Sequence, residues 1–370
     1  MTGLRLWGAS LLLNAILAAA VQWSAPAQPK FTDRLDYEWV GQHPLESGCT
    51  AAVYCYRILV PVLLEQVPVA PETRWRASRW TATTIAGAIV AVTTAGLASG
   101  MPSAIIASLL VQGSYGFAFT AYDPYTADPW VFVILALTSW CWLANRWRAA
   151  FMVTLIGIFA KETVALISVS AALAALVSPR RHGWRNWLVQ AVVVSVTLLT
   201  YRWLADTYLG WDISQNAAAK FSSGSWLRIW WNNNPGLPLK AFFLFAPFGF
   251  GWLFAAAGVW RAPRDLQKLA IGATLPFLAL NYVQNPERAL GNLFFVVVPL
   301  ATTTLSRVPI GVGLAAAITT GLLTTKVGSS TAWLPSSSYL LIAAAASAAL
   351  VAWHLRPSFP SRAERPTLGE

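Results

Sequence analysis

Apolar runs of roughly 16–20 residues recur along this chain, separated by short polar gaps, and each is close to the length that a helix needs to cross a hydrocarbon core. Runs near 4–23, 80–98, 104–121, 130–145, 149–160, 163–178, 187–205, 240–260, 269–283, 293–306, 308–326 and 338–354 predict about twelve crossings, several of them short. Strand or coil exposed to lipid would leave backbone groups unpaired, so the expected fold is an all-α, polytopic transmembrane helical bundle. Residues 1–355 read as one membrane domain. Within it, 24–79 is a first external loop with an amphipathic interfacial helix over 52–70, where Arg57, Pro61, Glu65 and Pro68 suit a surface better than a span. A second external loop, 206–239, carries Trp226, Trp230, Trp231 and the run Asn232 to Gly236, and 356–370 reads as a disordered cytoplasmic tail. The N-terminus resembles a cleavable signal peptide in Arg5, the run Leu11 to Val21 and Ser24-Ala25-Pro26-Ala27. An uncleaved first span is the reading adopted, since a multi-span chain uses its first helix as its own insertion signal.

Composition changes the meaning of the charge. With 56% hydrophobic and only 11% charged residues, a net charge of +11 is no nucleic-acid signature, and the expected surroundings are membrane lipids. Three basic clusters (Arg146 and Arg148; Arg180, Arg181 and Arg185; Arg261, Arg264 and Lys268) fall in gaps that a cytoplasmic N-terminus places inside. Twelve of the 15 acids then fall outside. A rival topology makes 52–70 a span and 149–177 a single crossing, which would bury Lys161 and Glu162 in mid-bilayer. Two half-length helices meeting at that pair fit better, because broken helices are tolerated where they line a wet cavity. Cys49 and Cys55 could bridge in an oxidising compartment, whereas Cys141 lies within a span. His43, His182 and His354 are far apart, and no zinc-site spacing occurs.

Ionisable groups gathered at helix ends near hydrocarbon are costly and so mark candidate chemistry. Asp33 and Asp36, in Phe31-Thr32-Asp33-Arg34-Leu35-Asp36-Tyr37-Glu38, could supply a general base, or could be a solvated loop. Asp123 and Asp128, between Pro124 and Pro129, could hold a divalent cation, and Asp128 followed by Pro129 reads as an N-cap. Lys161 could hold a phosphate with Glu162 neutralising it in the empty site, or the two could be a structural pair at a helix break. Glu287 and Arg288 precede a late span, and Arg288 could fork onto a phosphate or snorkel to a headgroup. Arg57 has similar status.

These segments resemble the GT-C superfamily of polytopic glycosyltransferases. Phe31 to Tyr37 and Tyr56-Arg57-Ile58-Leu59-Val60-Pro61 are similar to the family's first external loop and juxtamembrane helix, and Tyr122 to Pro129 to its second acidic loop. Gly157 to Thr163 resembles its break between two short helices, and Pro286 to Gly291, leading into Val298-Pro299-Leu300, a late segment. The resemblance covers roughly residues 1–310. It departs in lacking a large soluble C-terminal domain and a tight Asp-X-Asp. It implies an inverting hexosyl or pentosyl transfer from a polyprenyl-phosphate sugar donor to an extracytoplasmic glycan, lipid or protein. In that reading Asp36 or Asp33 takes the acceptor proton. Arg288, Arg57 and Lys161, with Glu162 and Glu287 beside them, surround the leaving phosphate, and Asp123 and Asp128 orient the acceptor or hold a cation. Alanine richness and arginine in excess of lysine fit a bacterial cytoplasmic (inner) membrane. The competing readings are a lipid or solute transporter, motivated by the broken helix, and a non-catalytic membrane scaffold.

Overall fold

The computed structural model describes residues 3–26, 32–47, 49, 52–98, 100–177, 183–211, 237–278 and 286–356. Outside these residues lie the Trp/Asn-rich stretch with Trp226, Trp230, Trp231 and Asn232 to Gly236, the tail beyond Arg356, and Arg180, Arg181 and His182. The described residues hold 17 α-helices and no strand. Five helices are long and apolar enough to cross a bilayer: α1 (Gly3–Ser24), α4 (Pro71–Leu97), α10 (Trp184–Leu209), α16 (Ile310–Ser329) and α17 (Ser337–His354). A sixth span forms if α5 (Met101–Gly113) and α6 (Tyr115–Tyr122), bent by 49°, count as one. Shorter apolar helices are α7 (Asp128–Leu143), α8 (Trp147–Gly157), α9 (Val164–Leu176) and α15 (Phe294–Leu305). The rest are α2 (Thr32–Gln42), α3 (Leu59–Glu65), α11 (Leu237–Phe245), α12 (Gly251–Val259), α13 (Arg264–Leu278) and α14 (Pro286–Gly291). This is a helical, multi-pass membrane protein.

Local chemistry sets many boundaries. Pro71 opens α4 behind the extended Ala70, and Gly210, at φ +63°, closes α10. Between α5 and α6, Ser114 is extended, and the Tyr115 N–H freed by the bend donates to Pro247 O at 3.1 Å. One helix break therefore satisfies another, which is what makes broken backbone tolerable at this depth. At the same bend Gly113 lies against α16, where a Cβ would come within 2.5 Å of Gly321 Cα.

The first external segment differs from expectation. The acidic stretch is helical (α2) rather than a loop. The interfacial helix over 52–70 is not continuous: a 3-10 turn, Ala52–Tyr56, ends at Arg57, and α3 restarts at Leu59. The Leu59 N–H donates to Phe159 O at 3.0 Å, in the gap between α8 and α9, so tertiary contact interrupts the helix there. Cys49 and Cys55 form a disulfide. The 149–177 stretch breaks at 158–163, against the rival single crossing.

Helix α1 packs on α4 and α5 through polar groups in an otherwise apolar seam. Asn14 Nδ2 donates to Ser108 Oγ at 2.9 Å, while Gln112 Nε2 donates to Asn14 Oδ1 at 3.0 Å and to Thr83 O at 2.9 Å. Buried Arg79 on α4 donates to Ala18 O at 2.9 Å, Gln22 Oε1 at 3.3 Å, Phe117 O at 3.0 Å and Thr120 Oγ1 at 3.5 Å, which pins α1 and α6 to α4 without an acidic partner. Gly87 leaves room for this seam, since a Cβ there would overlap Asn14 Oδ1 and Gln112 Nε2. Gly87→Ala is expected to destabilise the protein by about 1–3 kcal/mol through overpacking. Thermal melting of the detergent-solubilised protein checks this, and an unchanged midpoint contradicts it.

Candidate functional site

Six segments distant in sequence meet at one end of the bundle: α2, the 3-10 turn before α3, the 158–163 gap, the N-terminus of α7, α14, and the last turns of α10. The opposite end gathers the arginine-rich gaps. There the Trp142 indole donates to Asp265 O at 3.4 Å and meets Trp187 edge to face at 4.9 Å, and Arg307 donates to Arg261 O at 3.4 Å.

Asp128 is central. Its Oδ1 accepts from Lys161 Nζ, and its Oδ2 accepts from Arg288 Nη2 at 2.7 Å. The expected N-cap role is corrected: Ala127 is the cap residue, without a side-chain bond, and Asp128 is the first helical residue. Few donors there need a cap. The Asp128 N–H goes to Thr126 Oγ1 at 3.3 Å, Pro129 has none, and the Trp130 N–H goes to Ala127 O at 3.1 Å. The carboxylate is thus left to the two cations, and Asp128 would have to release both before joining Asp123 around a divalent ion. Among the described residues no three metal-ligating side chains cluster. Asp123 is buried at the end of α6, within electrostatic reach of Arg288.

Lys161 and Glu162 do not pair with each other as expected; neighbours in sequence on a turn face different ways. Glu162 turns to Arg57, which donates from Nη2 to Oε1 at 2.7 Å and from Nε to Oε2 at 3.1 Å. Arg57 Nη1 donates to the Tyr37 hydroxyl at 3.3 Å. Arg202 Nη2 approaches Glu162 Oε2 at 3.7 Å, and its guanidinium lies over the Tyr56 ring at 5.3 Å. Arg288 lies over Phe119 at 4.5 Å, and the neighbouring Glu287, buried, accepts from the Tyr115 hydroxyl at 3.3 Å. The result is an alternating ladder, Arg202–Glu162–Arg57–Tyr37 beside Lys161–Asp128–Arg288.

In the gap outside the helices, burial pushes the Glu162 carboxyl up, but the Arg57 guanidinium overrides it and holds the group at about 2. Burial works against the charge on Arg57, yet Glu162 and Tyr37 raise its pKa well above the ordinary arginine value. Burial raises the Tyr37 phenol, only partly opposed by Arg57, so the hydroxyl keeps its proton.

Of the expected residues, Arg57, Asp128, Lys161, Glu162 and Arg288 share this network, and Asp123 and Glu287 flank it. The α2 side chain brought into it is Tyr37, packed against Tyr54, Trp75 and, through Trp75, Tyr125. Asp36, one residue earlier, is half-buried. Asp33 belongs to α2, and its side chain is outside the described residues. Sequence reasoning had Tyr37 within the acidic motif without a role, and it missed Arg202. A lone arginine inside the apolar run 187–205 was the available signal for the latter. An apolar cavity of about 150 Å³ between α1, α5 and α16 has no titratable side chain in its wall. No family model matches the chain, and no curated protein matches it in sequence.

The depressed Glu162 pKa sets a pH window. Its contribution to stability is present in full above about 4.5, the ordinary glutamate value, and is lost as pH falls through about 2. The gap in melting temperature between wild type and Glu162→Gln should therefore hold constant from pH 7 to about 4.5 and close below it. Closure between pH 7 and 5 would contradict the pairing with Arg57.

Proposed function

We propose that this chain is a GT-C-type glycosyltransferase of a bacterial cytoplasmic membrane, with about twelve crossings, that transfers a sugar from a polyprenyl-phosphate donor to an extracytoplasmic acceptor. The observation that carries the reading is the ladder itself. Three partly buried cations, Arg57, Lys161 and Arg288, are held by two carboxylates at one end of a membrane bundle, on helix breaks and a short helix. Fixed positive charge in a water-poor site suits a reaction in which negative charge develops on a leaving phosphate. A lipid-linked donor would bring that phosphate to membrane level.

The chemistry is a single displacement. Asp36, or Asp33 one helical turn earlier, accepts the acceptor hydroxyl proton, and the acceptor oxygen bonds to the anomeric carbon. The bond from that carbon to the phosphate oxygen breaks with inversion, and its electron pair stays on the polyprenyl phosphate. Arg288 and Lys161 have donors beyond those given to Asp128 to receive that oxygen, and Asp128 holds the two in place. Asp123 orients the acceptor.

The test is the lipid-linked sugar and envelope glycan composition of cells carrying variants at wild-type protein level. Asp36→Asn is expected to lower transfer by about 10²-fold or more, as for loss of a general base, and Arg288→Gln by about 10²–10³-fold. Unchanged composition in Asp36→Asn overturns the enzymatic reading. Transport instead requires that Lys161 or Glu162 changes alter lipid or solute distribution while Asp36→Asn does not.

A further inference from the structure

Arg79 on α4 and Arg202 on α10 both stand within long apolar helices, and they differ. Arg79 spends its guanidinium on four oxygen partners and is fully buried. Arg202, on α10 about 10 Å before the helix ends at Leu209 by the rise of 1.5 Å per residue, makes no hydrogen bond among the described residues. Its Nε is buried without a partner, and its approach to Glu162 at 3.7 Å is too long for a hydrogen bond. Both oxygens of Glu162 already belong to Arg57.

The surroundings of Arg202 say what could reach it. Helix α10 exposes Val189, Val192, Val196, Leu199 and Trp203, an apolar face suited to lipid chains. The guanidinium plane rests on Tyr56, whose hydroxyl donates to Trp211 O at 2.6 Å beside the Cys49–Cys55 bridge, so the fork is held in one orientation. Arg202 is partly exposed and, among the described acids, is met only by Glu162 across 3.7 Å, so most of its donors stay open to a second anion at the edge of the bundle. The anionic oxygens available at that depth are those of lipid phosphates.

We propose that Arg202 is the docking contact for the phosphate headgroup of a membrane lipid that reaches the charged ladder sideways along α10. The inference rests on the reading that the ladder handles a lipid phosphate, and it adds the side of approach and the first cation met. Glu162 lies between Arg202 and Arg57, so a phosphate on Arg202 is one residue from the cations of the ladder.

Binding separates this from catalysis. The probe is a radiolabelled polyprenyl phosphate bound to the intact protein in neutral detergent, with the matching polyprenol and inorganic phosphate as competitors. Arg202→Gln should weaken binding about tenfold, the scale of one charge-assisted hydrogen bond, and Arg202→Lys by less. Neither competitor should displace the probe at about 100-fold excess. Normal binding by folded Arg202→Gln overturns the proposal, as does a wild-type protein that binds no probe. Efficient displacement by inorganic phosphate also overturns it, because the ligand would then be a soluble anion. If Arg202→Gln melts earlier than wild type, Arg202→Lys decides, since it keeps the charge and loses the fork. Intact, Arg202-dependent binding without any sugar transfer by the wild type would sink the glycosyltransferase reading alone.

Discussion

Asp128 gives one oxygen to Lys161 and the other to Arg288, and with that one carboxylate α7, the α8–α9 gap and α14 are tied to a common point. None of the three charges could stand there alone. A buried charge stripped of its partner costs several kcal/mol, and more where lipid replaces water. The arrangement is thus mutually conditional: each segment can bring its charge to this depth only because the others do. The same logic couples Arg57 to Glu162, and Tyr37, which accepts from Arg57, lies within electrostatic reach of Asp128 and Arg288.

Interrupted helices are what deliver these groups. A continuous helix over 149–177 would have carried Lys161 and Glu162 past lipid tails, whereas the gap at 158–163 turns them inward to separate partners. Each interruption is itself satisfied: Phe159 O takes the Leu59 N–H, and Pro247 O takes the Tyr115 N–H. Backbone pairing between breaks therefore fixes the positions from which the charged side chains reach one another.

Much of this was legible in the order of residues. Apolar period and length located the helical segments, and the cost of charge near lipid singled out Arg57, Asp128, Lys161, Glu162 and Arg288. What the order of residues could not supply was partnership. Lys161 and Glu162 look like a pair because they are neighbours, yet the turn sends them apart. Asp128 before Pro129 looks like a cap because that chemistry is local, but Thr126 and Ala127 already take the donors that a cap would serve. The interfacial helix looked continuous because its break comes from Phe159, about a hundred residues away. Tyr37 was hidden by its acidic neighbours, since burial of an aromatic among charges is decided by packing against Trp75 and Tyr54.

Two independent features give the bundle the same orientation. The ends of α7, α12 and α15 that carry Arg146, Arg261 and Arg307 form the pole that the bias of cytoplasmic loops toward cations places in the cytosol. The Cys49–Cys55 bridge lies at the other pole, packed with Tyr56 and Trp211, and disulfides persist where the compartment is oxidising. Neither criterion uses the charged ladder, and both agree with the topology proposed from the sequence, in which its end lies away from the cytosol. In the proposed reaction, that is the side on which a lipid-linked donor would meet an extracytoplasmic hydroxyl. There Arg202 is partly exposed and makes no hydrogen bond among the described residues, while Arg79 is buried and makes four. The contrast separates a cation that holds the bundle together from one that has a contact still to make.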